Sequence, residues 1–402
     1  MVKLELPAND ACWSDSKNAR SGHHFATNGC VVEIFQCWRD IDPKVWQSLY
    51  PTRCKDRRYY EITEDTLGNQ FDHRYFVIRN SSGQVAVQPF FILRQDLTAG
   101  VTGRLRTVIE RFRKRWPNFM KPRMLMVGCT AGEGQLGSDE PWAVQALQAA
   151  LEQTARDEKI SFLLFKDFPE EYRHPLGFLT KQGYARVPSM PGARMNIESK
   201  DFEEFMQNQL GKVFRKNLRR KFKASAAIGA LTMDVLTEIT PVAEEIQALY
   251  LQTHGRSQYQ FERLNAGYFE ALGRKMPERA RFFLWRLEGR LVAFALCLVQ
   301  GDTLHDLNFG ADYRLSPDLN LYFVTFRDLY NWAAANGLKR YATGPLNYDP
   351  KLHLQLDLDP LDLYARHTNP VFNVFFKLAL KYLEPTRHDP VIRKFRNFKD
   401  LI

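Results

Sequence analysis

Residues 280–344 contain the clearest secondary-structure pattern of the sequence and read ARFFLWRLEGRLVAFALCLVQGDTLHDLNFGADYRLSPDLNLYFVTFRDLYNWAAANGLKRYATG. Its first two apolar runs are joined by a short turn containing Gly289, which predicts a β-hairpin. The next run, TLHDLNFG, predicts a third strand. A segment with helical apolar spacing follows, with Ser316 as its cap and Gly337 as its end, before LKRYATG returns as a strand. Strand, helix and strand in this order predict a parallel pairing.

The first half of the chain repeats this order without obvious sequence identity. RYFVIRN and VAVQPFFIL flank the turn residues SSGQ and predict a hairpin. RMLMVG then predicts a strand, CTAGEGQLGSDE a Gly-rich loop, PWAVQALQAALEQTARDE a helix and ISFLLFKDF a buried strand. The predicted fold class is therefore α/β with mixed (α+β) sheets. A chain of 402 residues exceeds what one core usually serves, so we expect two domains, 1–200 and 201–402.

The composition is that of a folded chain with an excess of positive charge. Hydrophobic residues make up 45% and charged residues 25%, and 56 basic against 46 acidic residues give a formal charge of +10. This balance favours polyanionic partners: a nucleotide-bearing cofactor, tRNA or an anionic lipid surface. We find no signal-peptide pattern, no window approaching the roughly 18 apolar residues of a membrane span and no cysteine spacing typical of a zinc module. We therefore expect a cytoplasmic protein with reduced thiols and no metal site.

The second half resembles the FemAB-like acyltransferases of the GNAT superfamily. The resemblance rests on the basic segment GKVFRKNLRRKFKAS, on LYLQTHGRSQYQFERLNAGYFEAL and on the stretch quoted above. Gly344, Tyr348 and Lys351 occupy the places where the family closes this stretch with a glycine and a Tyr-x-x-Lys-like element. GFLTKQGYARV in the first half is similar to a late GNAT helix-and-strand signature. The resemblance implies two tandem GNAT-like domains that transfer an acyl group from a thioester, with acyl-CoA as co-substrate and no permanently bound cofactor.

Direct attack of an amine on a thioester needs a base, a donor for the developing oxyanion and close positioning of the reactants. The polar residues His305, Asp306 and Asn308 interrupt the third strand. Strand alternation predicts that Asp306 and Asn308 share one face and His305 the other. Asp306 and Asn308 are candidates for the base or for ammonium ligands, with a hydrogen-bonded polar pair at a sheet end as the alternative. His305 and Tyr348 are further candidates, although a lone histidine is more often structural.

Candidate acceptor-binding residues follow a predicted helix. His254, Arg256 and Tyr259 stand where the resemblance implies a substrate-facing loop. The alternative is that these are solvated loop residues.

Candidate donor-binding residues lie in both halves. Gly132 and Gly134 fit a variant of the GNAT pyrophosphate loop, whose peptide N–H groups would face an anion. The same loop is a literal G-x-G-x-x-G, but its distance from the preceding strand argues against a dinucleotide site, and a plain turn is the third alternative. Arg215 and Arg219 belong to a helix with seven cations and no acid, which is a phosphate-binding candidate or a solvated face. Lys351 is a further candidate for a phosphate contact.

Three further alternatives concern donor, activity and assembly. Aminoacyl-tRNA is the donor of FemAB-like cell-wall enzymes, and with that donor the basic helix would hold RNA. A non-catalytic binding protein with the same fold is the other function considered. VFNVFFKLALKYL (371–383) is apolar nearly all round. Burial or contact with a second copy in a homo-oligomer is favoured there over docking on a membrane surface.

Overall fold

The computed structural model describes residues 24–27, 29–96, 98, 103–257 and 260–402. Their strands are β1 (His24–Thr27), β2 (Cys30–Phe35), β3 (Asp72–Asn80), β4 (Val85–Arg94), β5 (Arg123–Val127), β6 (Phe162–Pro169), β7 (Ala185–Pro188), β8 (Gly192–Asn196), β9 (Leu231–Leu236), β10 (Ala280–Leu287), β11 (Arg290–Gln300), β12 (Thr303–Ala311), β13 (Arg340–Thr343), β14 (Asp357–Asp359) and β15 (Leu361–His367). Their α-helices are α1 (Pro43–Gln47), α2 (Arg57–Leu67), α3 (Gly103–Arg115), α4 (Pro141–Asp157), α5 (Arg173–Leu176), α6 (Phe202–Gln209), α7 (Lys212–Ile228), α8 (Ala243–His254), α9 (Ala266–Lys275), α10 (Ser316–Leu319), α11 (Leu321–Ala335), α12 (Tyr348–His353) and α13 (Pro370–Leu383).

The chain forms two compact units, each assembled from separate segments. Of the described residues, unit 1 contains those up to 49, those within 68–187 and 363–383, and unit 2 contains those within 50–67, 188–362 and 384–402. These units differ from the predicted domains 1–200 and 201–402 for a packing reason. The α2 helix packs on α9, where Tyr59 and Tyr268 share a hydrogen bond of 2.6 Å. Residues 363–383 supply a strand and a helix to unit 1.

Unit 1 is a mixed sheet with the strand order β1-β2-β3-β4-β5-β6-β15-β7. The strands from β1 to β5 are antiparallel, whereas β5 and β6 are parallel. Helix α4 joins that parallel pair. It begins with a proline at its first turn, and it buries Val144, Leu147 and Leu151 at helical spacing in the core of the unit.

Unit 2 is a second mixed sheet, with the order β14-β8-β13-β12-β11-β10-β9. The one parallel pair among its described strands is β12 with β13. Helices α6, α7 and α11 share a core with one face of the sheet, where Phe205 and Tyr330 have ring centroids 5.1 Å apart. Helices α8 and α9 cover the other face, where Phe269 contacts Phe294. Polar side chains on β12 are therefore enclosed between two helical layers.

The two units share one arrangement, in which antiparallel strands lead to a parallel pair joined by a helical connection. The elements are β5-α4-β6 in unit 1 and β12-α11-β13 in unit 2. The predicted α/β class with mixed sheets is confirmed. No helix of the described residues is both long and apolar enough to cross a membrane.

Two helical segments are interrupted. The segment from 202 to 228 consists of two helices, α6 and α7, separated at Leu210–Gly211, and Val213 on α7 is 85% exposed. The segment from Ser316 divides at Asn320, which has a φ of +49°. Asparagine tolerates this left-handed conformation better than most residues do, so α10 ends there and α11 starts in a new direction.

Candidate active site

A cavity opens where the parallel strands of unit 2 separate. The pairing of β12 with β13 runs from Thr303 opposite Arg340 to Asp306 opposite Thr343. Beyond this point β13 has ended, while β12 continues to Ala311. The cavity has a volume of about 940 Å³. Its walls are residues 306–309 and 343–348, with side chains from α8, the loop after it, α11, α12 and residues 388–390.

A β-bulge changes the orientation of the polar residues on β12. Asp306 lies opposite Cys297, whereas Asn308 lies opposite Leu296, so Leu307 is the extra residue. Residues directly opposite each other share a face of the sheet, and consecutive residues such as 296 and 297 point to opposite faces. Asp306 and Asn308 therefore lie on opposite faces, and the prediction that they share one is wrong. Regular alternation fails because the bulge adds one residue to β12.

Asp306 is the centre of a polar cluster on the α11 side. The Tyr341 hydroxyl donates a hydrogen bond of 2.6 Å to Oδ2 of Asp306, and the Cys297 sulfur lies 4.0 Å from Oδ1. Burial raises the pKa of Asp306 to about 6, against the opposing effects of the Tyr341 hydrogen bond and the charge of Lys351. Asp306 is therefore mostly ionised at neutral pH and can accept a proton there.

Lys351 supplies the positive charge of this cluster. It lies on α12, one turn after Tyr348, so both residues belong to a helix instead of the expected loop. Its ammonium donates a hydrogen bond of 2.5 Å to the carbonyl of Gly344. Burial lowers the pKa of Lys351 to about 8, although the Asp306 carboxylate opposes this shift. The Tyr348 hydroxyl donates to the carbonyl of Pro191 at 2.8 Å, which fixes α12 against the segment before β8.

The α8 side of the cavity carries two buried polar atoms without a hydrogen-bond partner. These are Oδ1 of Asn308 and Oγ1 of Thr253, and both residues line the cavity. Burying such atoms unsatisfied is costly, so both are available to hydrogen-bond a molecule in the cavity. Helix α8 lies close to β12 here: a Cβ built on Gly310 would be 2.8 Å from the backbone of Tyr250.

The predicted acceptor-binding residues extend this side of the cavity. His254 and Arg256 both line it. A ring nitrogen of His254 lies 3.0 Å from the carbonyl of Glu262, and burial lowers the pKa of His254. The guanidinium of Arg256 stacks 4.3 Å above the ring of Tyr313. Tyr259 lies outside the described residues.

His305 is held in the sheet instead of the cavity. It pairs in register with Leu298 on β11 and Ala342 on β13. It does not belong to the cavity lining, which on β12 consists of residues 306–309.

The glycine-rich loop of unit 1 packs closely against β6. The N–H of Gly134 donates to the carbonyl of Asp167 at 2.9 Å, and a Cβ on Gly134 would be 2.5 Å from the Phe168 ring. Lys166 donates to the carbonyl of Gly132 at 3.2 Å. Helix α4 starts only at Pro141, several residues beyond these glycines. Close packing thus accounts for Gly134, and its N–H is not directed at an anion.

The basic helix α7 lies beside the α10–α11 junction. Lys221 donates to the side chain of Asn320 at 3.1 Å, and Ser316 of that junction lines the cavity. Arg215 donates to the carbonyl of Gln207 at 2.8 Å, and Arg219 forms an ion pair with Glu203. Both predicted phosphate ligands therefore already have protein partners. Four exposed cations of α7 form no ion pair with a described residue: Lys212, Lys216, Arg220 and Lys223.

Sequence reasoning missed several residues of the cavity. Tyr341 and Thr253 gave no signal, because a single tyrosine in a short strand or a threonine in a helix is common in any core. Residues 388–390 were missed because they follow α13 of unit 1 and return to unit 2 far along the chain. The polar interruption of the strand by Asp306 and Asn308 was a usable signal.

A family model described as "Acetyltransferase (GNAT) domain" matches residues 212–351. This segment is similar to GNAT acetyltransferase domains. The match extends from α7 to Lys351 and includes Asp306 and Asn308. The predicted resemblance to the GNAT superfamily is confirmed over these residues.

Curated relatives and solved structures are similar to this chain over most of its length. It is 26% identical over 364 residues to "Putative 8-amino-7-oxononanoate synthase 2" of two Mycobacterium tuberculosis strains, which covers 84% of the chain and 46% of the relative. The chain thus spans about half the length of these relatives.

Three solved structures have TM-scores just below 0.5. L-PGS from Bacillus licheniformis is 13% identical with a TM-score of 0.49, covering 85% of this chain and 97% of that one. FemX is 12% identical with a TM-score of 0.48, covering 76% and 90%. A tandem GNAT protein from the clavulanic acid biosynthesis pathway is 12% identical with a TM-score of 0.47, covering 84% and 99%.

Proposed function

We propose that the GNAT domain is an N-acyltransferase that moves an acyl group from acyl-CoA to the amine of a small-molecule or peptide-like acceptor. The observation that carries this proposal is the position of Asp306. Its carboxylate, with a pKa of about 6, borders the cavity where β12 and β13 separate. A base of this strength, ionised near neutral pH, suits the removal of a proton from an attacking amine.

The proposed reaction is a direct addition and elimination. The acceptor enters as an ammonium ion and gives one proton to the Asp306 carboxylate. Its nitrogen then attacks the thioester carbonyl carbon, so that a C–N bond forms and the carbonyl oxygen becomes an oxyanion. Peptide N–H groups at the bulge near Leu307, beyond the last β12–β13 pair, are the proposed oxyanion donors. The C–S bond then breaks, and the thiolate takes a proton that Asp306 or the nitrogen releases.

The two faces of β12 have different roles in this proposal. On the α8 side, Asn308 and Thr253 offer oxygen atoms without partners, which would accept hydrogen bonds from the ammonium group. His254 and Arg256 on the same side would orient the rest of the acceptor. On the α11 side, Tyr341 and Lys351 keep Asp306 ionised by hydrogen bonding and by charge.

The coenzyme A tail requires an anion-binding surface, and the described residues favour α7 over the glycine-rich loop. The N–H of Gly134 is already used within unit 1. In contrast, α7 lies beside the α10–α11 junction that lines the cavity, and it carries exposed Lys216 and Arg220. When bound, acyl-CoA supplies the activated acyl group. Lys351 lies too close to Asp306 and Gly344 to be our first choice as a phosphate ligand.

Aminoacyl-tRNA is the second candidate donor, and the exposed cations of α7 are the observation that favours it. A polyanion longer than coenzyme A could follow Lys212, Lys216, Arg220 and Lys223 along the helix. Nucleic acid that co-purifies with the protein and dissociates with salt would support this donor.

Thiol release with acyl-CoA and a panel of amines tests the proposed function. We expect amine-dependent thiol release that disappears in the triple variant Asp306→Ala, Asn308→Ala and Tyr348→Ala. Asp234→Asn, which changes an exposed acid on β9, is the control. Turnover that survives the triple change would refute the site. Transfer from aminoacyl-tRNA without any thioester turnover would select the second donor. Mass spectrometry of small molecules bound to the purified protein would identify the acceptor.

A further inference from the structure

The last helix of unit 1, α13, has two apolar sides, of which only one packs on the unit. Asn373 is buried and donates to the carbonyl of Gly183 at 2.9 Å. Phe376, one turn later, contacts the ring of Phe162 at 5.0 Å. This inner side fits the expected burial. The outer side does not, because seven large apolar residues of α13 are 56–71% exposed: Val371, Phe372, Val374, Phe375, Leu378, Tyr382 and Leu383.

The exposed residues form a stripe along the helix. Val371, Phe375, Leu378 and Tyr382 recur at spacings of four, three and four residues, which places them on one side of an α-helix. Lys377 and Lys381 lie one turn apart on the same helix. A continuous apolar stripe of this length exposed on a folded unit marks an interaction surface.

A second exposed apolar cluster in unit 1 lies at the same end of the sheet. Phe112, Trp116 and Phe119 stack on one another, with centroid distances of 6.1 and 5.3 Å from the Phe112 ring, and we call them the aromatic patch. The patch precedes β5, whose Arg123 accepts a hydrogen bond from Ser161 at the start of β6. Ser161 in turn accepts from Thr368, just before α13.

The charged residues within α13 and within 111–121 are all positive, with Glu110 and Glu384 adjoining them. Neither α13 nor residues 111–121 contain an aspartate or a glutamate. Arg111, Lys114, Arg115 and Lys121 beside the aromatic patch form no ion pair with a described residue, and neither do Lys377 and Lys381. A second copy of this chain would place like charges against one another across a symmetric contact. An anionic lipid surface offers both the apolar phase and the opposite charge.

We propose that α13 and the aromatic patch dock unit 1 on an anionic membrane surface. The outer stripe of α13 enters the boundary between headgroups and acyl chains, and the lysines and arginines face lipid phosphates. The helix lies along the surface, since no described helix can span a bilayer. The sequence alone had favoured burial or a second copy for this segment.

Vesicle flotation of the full chain tests this docking independently of acyl transfer. We expect binding to vesicles that contain phosphatidylglycerol, weak binding to pure phosphatidylcholine vesicles, and release as salt rises. The double variant Phe375→Ser and Leu378→Ser should lower vesicle partitioning at least about tenfold, because two side chains no longer enter the apolar phase. Val213→Ser removes an even more exposed apolar side chain from α7 in unit 2 and should bind like the original protein.

A second variant and a second measurement separate the outcomes. Lys377→Gln with Lys381→Gln should weaken binding to anionic vesicles and reduce its salt dependence. Far-UV circular dichroism confirms that each variant is folded. Absence of vesicle binding, or unchanged binding of the folded Phe375→Ser, Leu378→Ser variant, would overturn the proposal. A dimer in light scattering that this variant dissociates, without any vesicle binding, would assign the stripe to a second copy instead.

Discussion

The phenolic oxygen of Tyr341 lies 2.6 Å from Oδ2 of Asp306 and donates a hydrogen bond to it. This contact joins the two parallel strands of unit 2 at the place where they begin to separate. It stabilises the ionised form of a carboxylate that burial would otherwise keep protonated to a higher pH. The contact therefore connects the strand geometry to the pH range in which Asp306 can act as a base.

The pH dependence of turnover should report the ionisation of Asp306. For the free enzyme, kcat/KM should rise with pH through an apparent pKa of about 6 and fall at lower pH, because protonated Asp306 accepts no proton. Asp306→Asn should lower kcat/KM by about 10²- to 10⁴-fold and remove this acidic limb. Asp234→Asn should keep the limb. An Asp306→Asn enzyme with an unchanged profile would assign the base elsewhere.

Tyr341→Phe should move the acidic limb to higher pH. The hydrogen bond from Tyr341 lowers the pKa of Asp306, so its loss raises that pKa. At pH 6 the variant should therefore lose more activity than at pH 8, and a pH–rate series measures the difference. Tyr268→Phe removes another buried hydroxyl hydrogen bond, to Tyr59, and should leave the limb in place. A uniform loss at all pH values in Tyr341→Phe would indicate a purely structural role.

The free energy of unfolding should also depend on the ionisation of Asp306, and it should fall as the pH rises. Because the folded-state pKa of Asp306 lies above the unfolded value of 3.8, the folded state binds more protons between these values. Raising the pH from about 4 to about 6 should therefore remove up to about 3 kcal/mol of the stability that protonated Asp306 contributes. Asp306→Asn lacks this titration, so the variant should gain stability relative to the original protein over that pH range. Chemical denaturation at pH 4.5, 5.5 and 6.5 checks this expectation, and parallel curves would contradict it.

Asn308→Ala and Thr253→Val should weaken binding of the acceptor more than binding of the donor. Each removes an unpartnered oxygen atom from the α8 side of the cavity. Loss of a hydrogen bond to a charged amine should raise the acceptor KM by about 10-fold or more. The KM of the thioester should change little. Thr232→Val changes an exposed threonine on β9 and serves as the control. Equal effects on both substrates would argue against an acceptor subsite on this side.

Gly310→Ala should disturb the distance between β12 and α8. The added Cβ would be 2.3 Å from the Phe294 ring and 2.8 Å from the α8 backbone. We expect a loss of about 1–3 kcal/mol in the free energy of unfolding and a higher acceptor KM, because α8 carries Thr253 and His254. Gly211→Ala has no atom within 4 Å of the new Cβ and should be tolerated. Thermal melts and steady-state kinetics distinguish the two variants.

Local sequence patterns predicted most elements, since hairpins, caps and helical spacing depend on neighbouring residues. Asp42 accepts hydrogen bonds from the N–H groups of Lys44 and Val45 as a cap, and the hairpin strands are paired as expected. The wrong predictions concerned features that depend on residues far along the chain. The bulge at Leu307 is visible only from the register with β11.

The sequence identified those site residues whose polar side chains are unusual in an apolar strand. Two charged or amide side chains in an apolar strand identified Asp306 and Asn308 as lining residues. The glycines at 132 and 134 matched a motif, yet their use is decided by close packing on β6, which no local pattern encodes. Tyr341 became recognisable only once β13 was placed beside β12.

The path of β15 has a consequence for protein synthesis. This strand lies between β6 and β7 in the sheet of unit 1, yet it comes from residues 361–367. The sheet of unit 1 stays incomplete until residue 367 has left the ribosome. Unit 1 therefore cannot finish folding before most of unit 2 has been synthesised, although domains synthesised earlier generally fold first. Division of the chain after residue 200 would separate β15 from unit 1 and β8 from unit 2, so neither half is expected to fold independently.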